Sequence, residues 1–297
     1  VSSPFHPGEL AVQKRVGVRE QARDLEGKYR DAIPLAVVAF LAQHTFAVLS
    51  STDVDGNVWA SPLAGPPGIF STADQHAIPI HTERLNPQLN PALVHGQLGG
   101  LLVMDFDRRL RLRINGGFER TSDVLIIRIA QFYGNCTKYI QRRIPSDGSL
   151  HAATASASSA VLSDSQRALI ARSDTFFIAT THLDGGADAS HRGGRPGFVT
   201  ASDARTLIWP DYRGNNMFNT LGNLETDPRA GLLFINFDSG ASLQLTGKAT
   251  ADFGDSSSFA PTGRSVSFDI TSVRELLSSS FLQYTMVEPF PYNPPVA

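Results

Sequence analysis

Residues 45–56 read TFAVLSSTDVDG, and residues 175–185 read TFFIATTHLDG. They are the first of four matched blocks. Residues 60–68, ASPLAGPPG, answer to 189–197, ASHRGGRPG, with the same Ala-Ser opening and Pro-Gly close. Residues 100–106, GLLVMDF, answer to 231–237, GLLFINF. Each is followed by a segment ending in an apolar residue, a polar residue and glycine: Ile114-Asn115-Gly116 and Leu245-Thr246-Gly247. The blocks keep one order and a spacing of 129 to 131 residues. Unrelated β-segments of similar composition do not do this, so the chain reads as two copies of one unit. Two copies are too few for a solenoid and suit a pseudo-symmetric pair, as a homodimer would form.

Inside each unit the pattern is mostly β. Phe46-Ala47-Val48-Leu49 and Phe176-Phe177-Ile178-Ala179 are short apolar runs bounded by turn signals. Leu110, Leu112 and Ile114 alternate with Arg109, Arg111 and Arg113, the period of a half-buried strand. Leu243 and Leu245 repeat this beside Ser242 and Gln244. A helix is expected before each first strand, over 33–43 and over 163–173, the second capped by Ser163 or Asp164. Short strands with few helices predict a small β-barrel in each half. The expected division is an N-terminal arm over 1–32 with a helix over 9–30, a first unit over 33–145, a Ser/Ala-rich linker over 146–162, and a second unit over 163–297. Its tail, EPFPYNPPVA, is proline-rich and expected to be extended.

Composition narrows the function. The 297 residues carry 26 Lys+Arg against 28 Asp+Glu, so no basic excess points to nucleic acid or an anionic membrane. Hydrophobic residues at 41% and charged residues at 18% suit a globular chain. One cysteine excludes an intrachain disulfide framework and a multi-cysteine zinc site. The longest apolar stretch, 32–42, is too short to span a bilayer and contains Pro34. The sequence opens without a charged-then-apolar leader, and the expectation is a soluble cytoplasmic protein. No nucleophile elbow, Walker loop or dinucleotide fingerprint occurs, and no histidine pair has helical ligand spacing; His76 and His81 are five apart.

The remaining chemistry gathers between 190 and 219. Ser190-His191-Arg192-Gly193-Gly194-Arg195 offers two arginines, which match a phosphate with paired hydrogen bonds, and glycines that let a ligand approach the backbone. Trp209-Pro210-Asp211-Tyr212 then runs into Arg213-Gly214-Asn215-Asn216, a polar turn able to cradle an anion between rings that could flank a planar group. The same residues also read as ordinary turns with solvated charges, and Trp209 as core. The first copy has Ser61-Pro62-Leu63 and Pro66 where the second has Ser190-His191-Arg192 and Arg195, which predicts one competent site per chain or an altered second one. Arg109, Arg111 and Arg113 form a basic ridge that faces either the ligand or solvent. Residues 133–143, YGNCTKYIQRR, close the first unit with aromatics, amides and cations, among them Lys138 and Tyr139. Cys136 there reads either as reactive, because cations lower a thiol pKa, or as inert.

With these motifs, SHRGGRPGFV, WPDYRGNNMFNTLGNL and YGNCTKYIQRR, the chain resembles the pyridoxamine 5′-phosphate oxidase-related, FMN-binding split-barrel family over about 35–290, and most of all its two-copy members. The resemblance implies a mainly β fold with some helices, built as two tandem split β-barrels forming a pseudo-dimer. It implies FMN in a cleft between barrels, since the family is normally a homodimer with FMN between subunits. Residues 194–199, including Val199, would lie on a strand beside the flavin, with Arg195 as a phosphate or ring contact. Trp209 and Pro210 would touch the flavin, Asn215 and Asn216 would occupy phosphate-binding positions, and Ser242 and Gln244 would line the cleft. The oxidases have an Arg-Lys pair where this chain has Asn215-Asn216, so positive charge must come from Arg192, Arg195, Arg213 or the first unit. They also bind substrate with a C-terminal Arg/His cluster, which this tail lacks, so pyridoxamine phosphate is not the implied substrate. The expectation is an FMN-dependent oxidoreductase with a small-molecule electron donor and acceptor, no metal, and an intrachain pseudo-dimer that could also form a homodimer. The rivals are a non-catalytic flavin or haem module, with His191 or His6 as axial ligand, and an interaction protein whose ancestral site has decayed.

Overall fold

The computed structural model describes residues 3–71, 74–84, 97–121, 123–146, 158–182, 186–254, 262–276 and 280–296. The N-terminal arm forms two short helices, α1 (Pro7–Arg15) and α2 (Arg19–Arg23), rather than the single helix expected over 9–30. Gly17 breaks it, with φ +74, just after the last turn of α1. His6 caps α1: its ring accepts the Gly8 N–H, and the Glu9 carboxyl accepts the His6 N–H at 2.9 Å. Helix α3 (Leu35–Gln43) then leads into the first sheet, within the segment expected to be helical.

That sheet contains β1 (Phe46–Thr52), β2 (Val58–Ala64), β3 (Ala77–His81), β4 (Leu98–Asp105), β5 (Leu110–Arg120) and β6 (Val124–Asn135) in the antiparallel order β2-β1-β4-β5-β6-β3. A short strand, β7 (Arg142–Pro145), follows. Of the expected linker, 147–157 lies outside the described residues, as does Gly185. Leu162 is buried against the second core, and Ser159 bridges to Val273, so the end of that segment belongs to the second unit. Helix α4 (Asp164–Arg172) is capped by Ser163, whose hydroxyl accepts the Gln166 N–H.

The second sheet contains β8 (Thr175–Thr181), β9 (Ala187–Gly193), β10 (Thr200–Ala201) and β11 (Thr206–Pro210). After helix α5 (Asn219–Thr226) it continues with β12 (Arg229–Asn236), β13 (Ala241–Asp252) and β14 (Ser265–Leu276). Its order, β9-β8-β12-β13-β14-β11 with β10 added at the edge, repeats that of the first sheet strand for strand. The closing strand β15 (Tyr284–Glu288) pairs with β7 and ends where the proline-rich tail begins; the tail is interrupted by a turn at 291–292.

The ladders set the internal register. Ser50 pairs with Ala60, and Ala179 pairs with Ala189, so the copies are 129 apart in these strands. The match of the first blocks therefore runs from their Asp-Gly ends, and Phe46 answers to Thr175 rather than to Phe176. One residue of slip exchanges the faces of a strand. Ala47 and Leu49 thus face the first core and Phe176 and Ile178 the second, while Val48 and Phe177 meet in a third apolar cluster between the halves. The apolar-polar-glycine motifs mark matched β-bulges, at Asn115/Gly116 and Thr246/Gly247.

The halves meet backbone to backbone at equivalent glycines. A Cβ on Gly100 of β4 would stand 2.8 Å from the Ala187 carbonyl oxygen on β9. A Cβ on Gly231 of β12 would stand 2.6 Å from the Val58 carbonyl oxygen on β2. Around them Phe46, Leu102, Phe106, Phe177, Leu233 and Phe237 are buried in the shared cluster. Among the described residues no helix is long and apolar enough to cross a membrane. Gly231→Val is expected to cost about 1–3 kcal/mol by overpacking this contact. Urea unfolding of the variant against the native chain measures it, with Gly27→Ala, at a position open to space, as the neutral control.

Candidate functional site

The two halves leave a cleft where β5 and the segment after β6 meet β9, the loop after β11 and the first turn of α5. From the first half come Arg111, Arg113, Asn135, Cys136, Lys138 and Tyr139. The second half adds His191, Arg192, Gly193, Pro210, Asp211, Tyr212, Asn215 and Asn216. The basic ridge therefore faces the cleft at Arg111 and Arg113. Arg109 does not belong to it: at φ +52 it turns away, donates to the Ile140 carbonyl and pairs with Glu288.

The arginines differ in compensation. Arg113 is 5% exposed and pairs with Asp188 at 3.0 Å, and it also donates to the Ser190 hydroxyl. The Ser190 hydroxyl also meets that of Thr220 at 2.9 Å, which places Ser190 behind the wall rather than in it. Arg111 touches no carboxylate among the described residues. Its guanidinium donates to Nδ1 of His191 at 3.0 Å and approaches the Cys136 sulfur at 3.7 Å, and its Nε is buried without a partner. Burial, with Arg113 and Arg192 nearby and Cys136 opposing, pushes the Arg111 pKa down to about 10. Among the described residues Arg192 donates to the His191 carbonyl oxygen, and burial lowers its pKa as well, against the opposing charges of Asp211 and Asp188. Neither guanidinium has an ion-pair partner among the described residues, and with Lys138 beside them they give the cleft a positive character.

His191 is 3% exposed. Burial first, then Arg111, Arg192 and Arg143, hold its pKa well below the usual 6.5. Its ring is neutral, and because Nδ1 accepts from Arg111, the proton resides on Nε2. Tyr139 and Tyr212 stand at the mouth with ring centroids 5.4 Å apart. The Tyr139 hydroxyl donates to the Arg213 carbonyl at 3.0 Å. Gly193 makes room for this, since a Cβ there would lie 2.0 Å from the Tyr139 carbonyl oxygen. Asn215 bonds Asn135 across the halves at 2.6 Å, while Asn216 and Phe218 take left-handed conformations that swing the chain into α5. The first turn of α5 then brings Asn219 and Thr220 to the cleft, and its N–H groups add positive potential.

Several expected contacts lie elsewhere. Trp209 is 1% exposed within the second core, packed edge-on to Phe176, and Val199 is in the same core. Both face inward because their strand and turn alternate away from the cleft. Residues 194–199 form a turn between β9 and β10 rather than a strand; Gly194 packs against Phe198, and Arg195 is exposed in that turn. Gln244 occupies the symmetry-related position on the opposite side, donating to the Ala60 carbonyl at 2.9 Å and the Ser61 hydroxyl at 3.1 Å. It stands where Arg113 stands in the first half. Ser242 and Pro62 stand where Arg111 and His191 stand, and Arg274 lies over the Trp59 ring there. Phe218, Asn219 and Thr220 fall inside the quoted 209–224 stretch but were given no role there, because a helix entered through a left-handed phenylalanine carries no familiar capping signature.

Residues 162–267 match the family model described as pyridoxamine 5′-phosphate oxidase. The match covers about a third of the chain and lies wholly in the second half, which holds the glycine-rich strand and the polar turn. Among solved structures, HupZ of Group A Streptococcus is 13% identical, with 40% of this chain and 96% of that one covered and a TM-score of 0.33. An FMN-binding protein of Syntrophomonas wolfei is 14% identical, with 37% and 82% covered and a TM-score of 0.29. The FAD binding protein of Mycobacterium smegmatis is 15% identical, with 40% and 98% covered and a TM-score of 0.26. No curated protein matches the sequence.

The depressed His191 pKa has a signed consequence. The unfolded chain takes up a proton at this residue near pH 6.5, and the folded chain does so only well below it, so stability falls as pH drops below 6.5. Urea unfolding at pH 7.5 and 5.5 is expected to show a smaller loss for His191→Asn than for the native chain, by up to about 1.4 kcal/mol. Equal losses would mean that His191 protonates in place.

Proposed function

We propose that the chain is a flavin-binding protein of two tandem split barrels forming an intrachain pseudo-dimer, with one FMN per chain and oxidoreductase activity toward a small-molecule donor and acceptor. The observation that carries this is the pair Arg111 and Arg192, without ion-pair partners among the described residues, inside a cleft built by both halves. The repeated strand order and the matched glycine contacts support the pseudo-dimer. The residues fit FMN in kind. Arg111, Arg192, Lys138 and the first turn of α5 would hold the phosphate, replacing the charge absent at Asn215 and Asn216, and the tyrosine pair would border the ring. When bound, FMN supplies hydride or electron transfer. The chain's own part is to fix the anion, exclude water with the buried wall around Arg113, and keep an uncharged imidazole beside the cations.

The haem reading loses support. The His6 ring accepts from Gly8 at one nitrogen, meets Asn223 at 2.9 Å with the other and stacks on His182, and His191 is enclosed with Arg111 on Nδ1. Pyridoxamine phosphate is not the proposed substrate, since the tail beyond β15 packs through Phe290 and Asn293 onto Gln141 and supplies no cation to the cleft. The opposite side, closed by Gln244 on Ser61, supports one site rather than two.

The purified chain is expected to show a two-banded visible spectrum, to release FMN by mass, and to bind one equivalent on titration. Arg111→Ala and Arg192→Ala should each weaken FMN about 10- to 100-fold, the loss expected of a charge-assisted hydrogen bond. A colourless chain that binds no added FMN would remove the flavin. A yellow chain whose flavin no donor reduces would leave a carrier or sensor.

A further inference from the structure

The N-terminal arm holds the helix that closes the cleft. Helices α1 and α5 touch without intervening side chains: a Cβ on Gly8 would stand 2.1 Å from the Gly222 carbonyl oxygen, and one on Gly222 would stand 2.6 Å from the Glu9 nitrogen. From this contact the arm grips α5 along its length. The Gln13 amide donates to the Met217 carbonyl at 2.9 Å, and Arg15 pairs with Glu225 at 2.8 Å. At the cleft end Glu9, 4% exposed, is hydrogen-bonded to the Asn219 amide, which also bonds the Tyr29 hydroxyl at 2.9 Å. Asn219 borders the cleft on one side and, on the other, a polar chamber lined by His6, Glu9, Asn115, His182, Asp188 and Asn223.

We propose that Glu9 is a positioning residue for the cleft: carried on α1, it holds Asn219 and the first turn of α5 in place, so that docking of the N-terminal arm and binding of an anion are coupled. The proposal rests on the cleft being the ligand site.

The groups facing Glu9 determine how the coupling responds to pH. His6 on the arm lies 3.8 Å away, with His182 from the end of β8 stacked on it. Tyr29 comes from the end of the arm, Asp188 from β9, Arg113 from β5 and Tyr133 from β6. Burial, and then the Asp188 charge, push the Glu9 pKa up to about 8. The docked arm therefore keeps a proton that a released arm gives up above its ordinary value of 4.5. Docking is strongest at low pH, weakens by about tenfold per pH unit between those values, and levels off above 8. By linkage, a ligand that needs Asn219 in place binds the docked fraction alone, so its affinity falls once rising pH populates the released arm, and its binding in turn strengthens docking.

Hydrogen exchange of the full chain from pH 6 to 9, corrected for intrinsic rates, reads peptides covering 7–15 and 219–226 without any ligand. The native chain is expected to lose protection in both together, by about a hundredfold between pH 6 and 8. Glu9→Gln should hold both flat, because the amide stays neutral, and Tyr29→Phe should keep the native slope. Titration with FMN and with inorganic phosphate at pH 6 and 8.5 should show affinity falling with pH in the native chain and not in Glu9→Gln. A flat native profile, an unchanged slope in Glu9→Gln, or α5 protection that ignores the arm would overturn the proposal. If FMN and phosphate both fail to bind while α5 still follows the arm with pH, the flavin reading falls and the arm–helix coupling stands.

Discussion

The backbone contact between the halves governs the rest of the molecule. Gly100 and Gly231 let β4 lie against β9 and β12 against β2 at a distance no side chain permits. That closeness brings Arg111 and Arg113 of one half beside Ser190, His191 and Arg192 of the other. It also encloses the shared cluster of phenylalanines, so the same contact that stabilises the pair assembles the cleft. A half on its own would expose that cluster and hold only part of the cation set.

Symmetry of backbone and asymmetry of charge divide the labour. The strand orders are equivalent, and the bulges fall at the same motif. Yet Arg113 answers to Gln244, Arg111 to Ser242 and His191 to Pro62. On one side a guanidinium is satisfied by Asp188, and a second, that of Arg111, meets no carboxylate among the described residues. On the other, a neutral amide closes on Ser61 and a carbonyl. Burying a cation without a partner is costly, so the chain carries that cost on one side alone. The neutral His191 fits this economy, because a third positive charge beside Arg111 and Arg192 would add repulsion without a counterion.

The N-terminal arm adds to the cleft from outside the two sheets. Its helix α1 touches α5 through two glycines and inserts a carboxyl group into a polar interior. Helix α5 has no side-chain cap of its own, entering instead through Phe218 in a left-handed conformation. The arm supplies the fixation that a cap would otherwise give, through Glu9 on Asn219 and Gln13 on the Met217 carbonyl.

Much of this was written in local sequence. Four ordered blocks fixed the repeat, alternation in 110–114 fixed a strand, and Ser163 fixed a helix start, because each depends on neighbours within a few residues. The second half's glycine-rich strand and its polar turn were legible as one cluster of cationic and polar groups for the same reason, and the loss of cations in the first copy was legible by comparison. Tertiary structure alone decided which arginines reach the cleft, that Trp209 and Val199 turn inward, and that Gln244 serves the opposite side. These outcomes depend on strand register and on contacts across the two halves, where one residue of slip reverses a face. A sequence lists the charges; which of them remain unpaired is settled only when the fold has placed their partners.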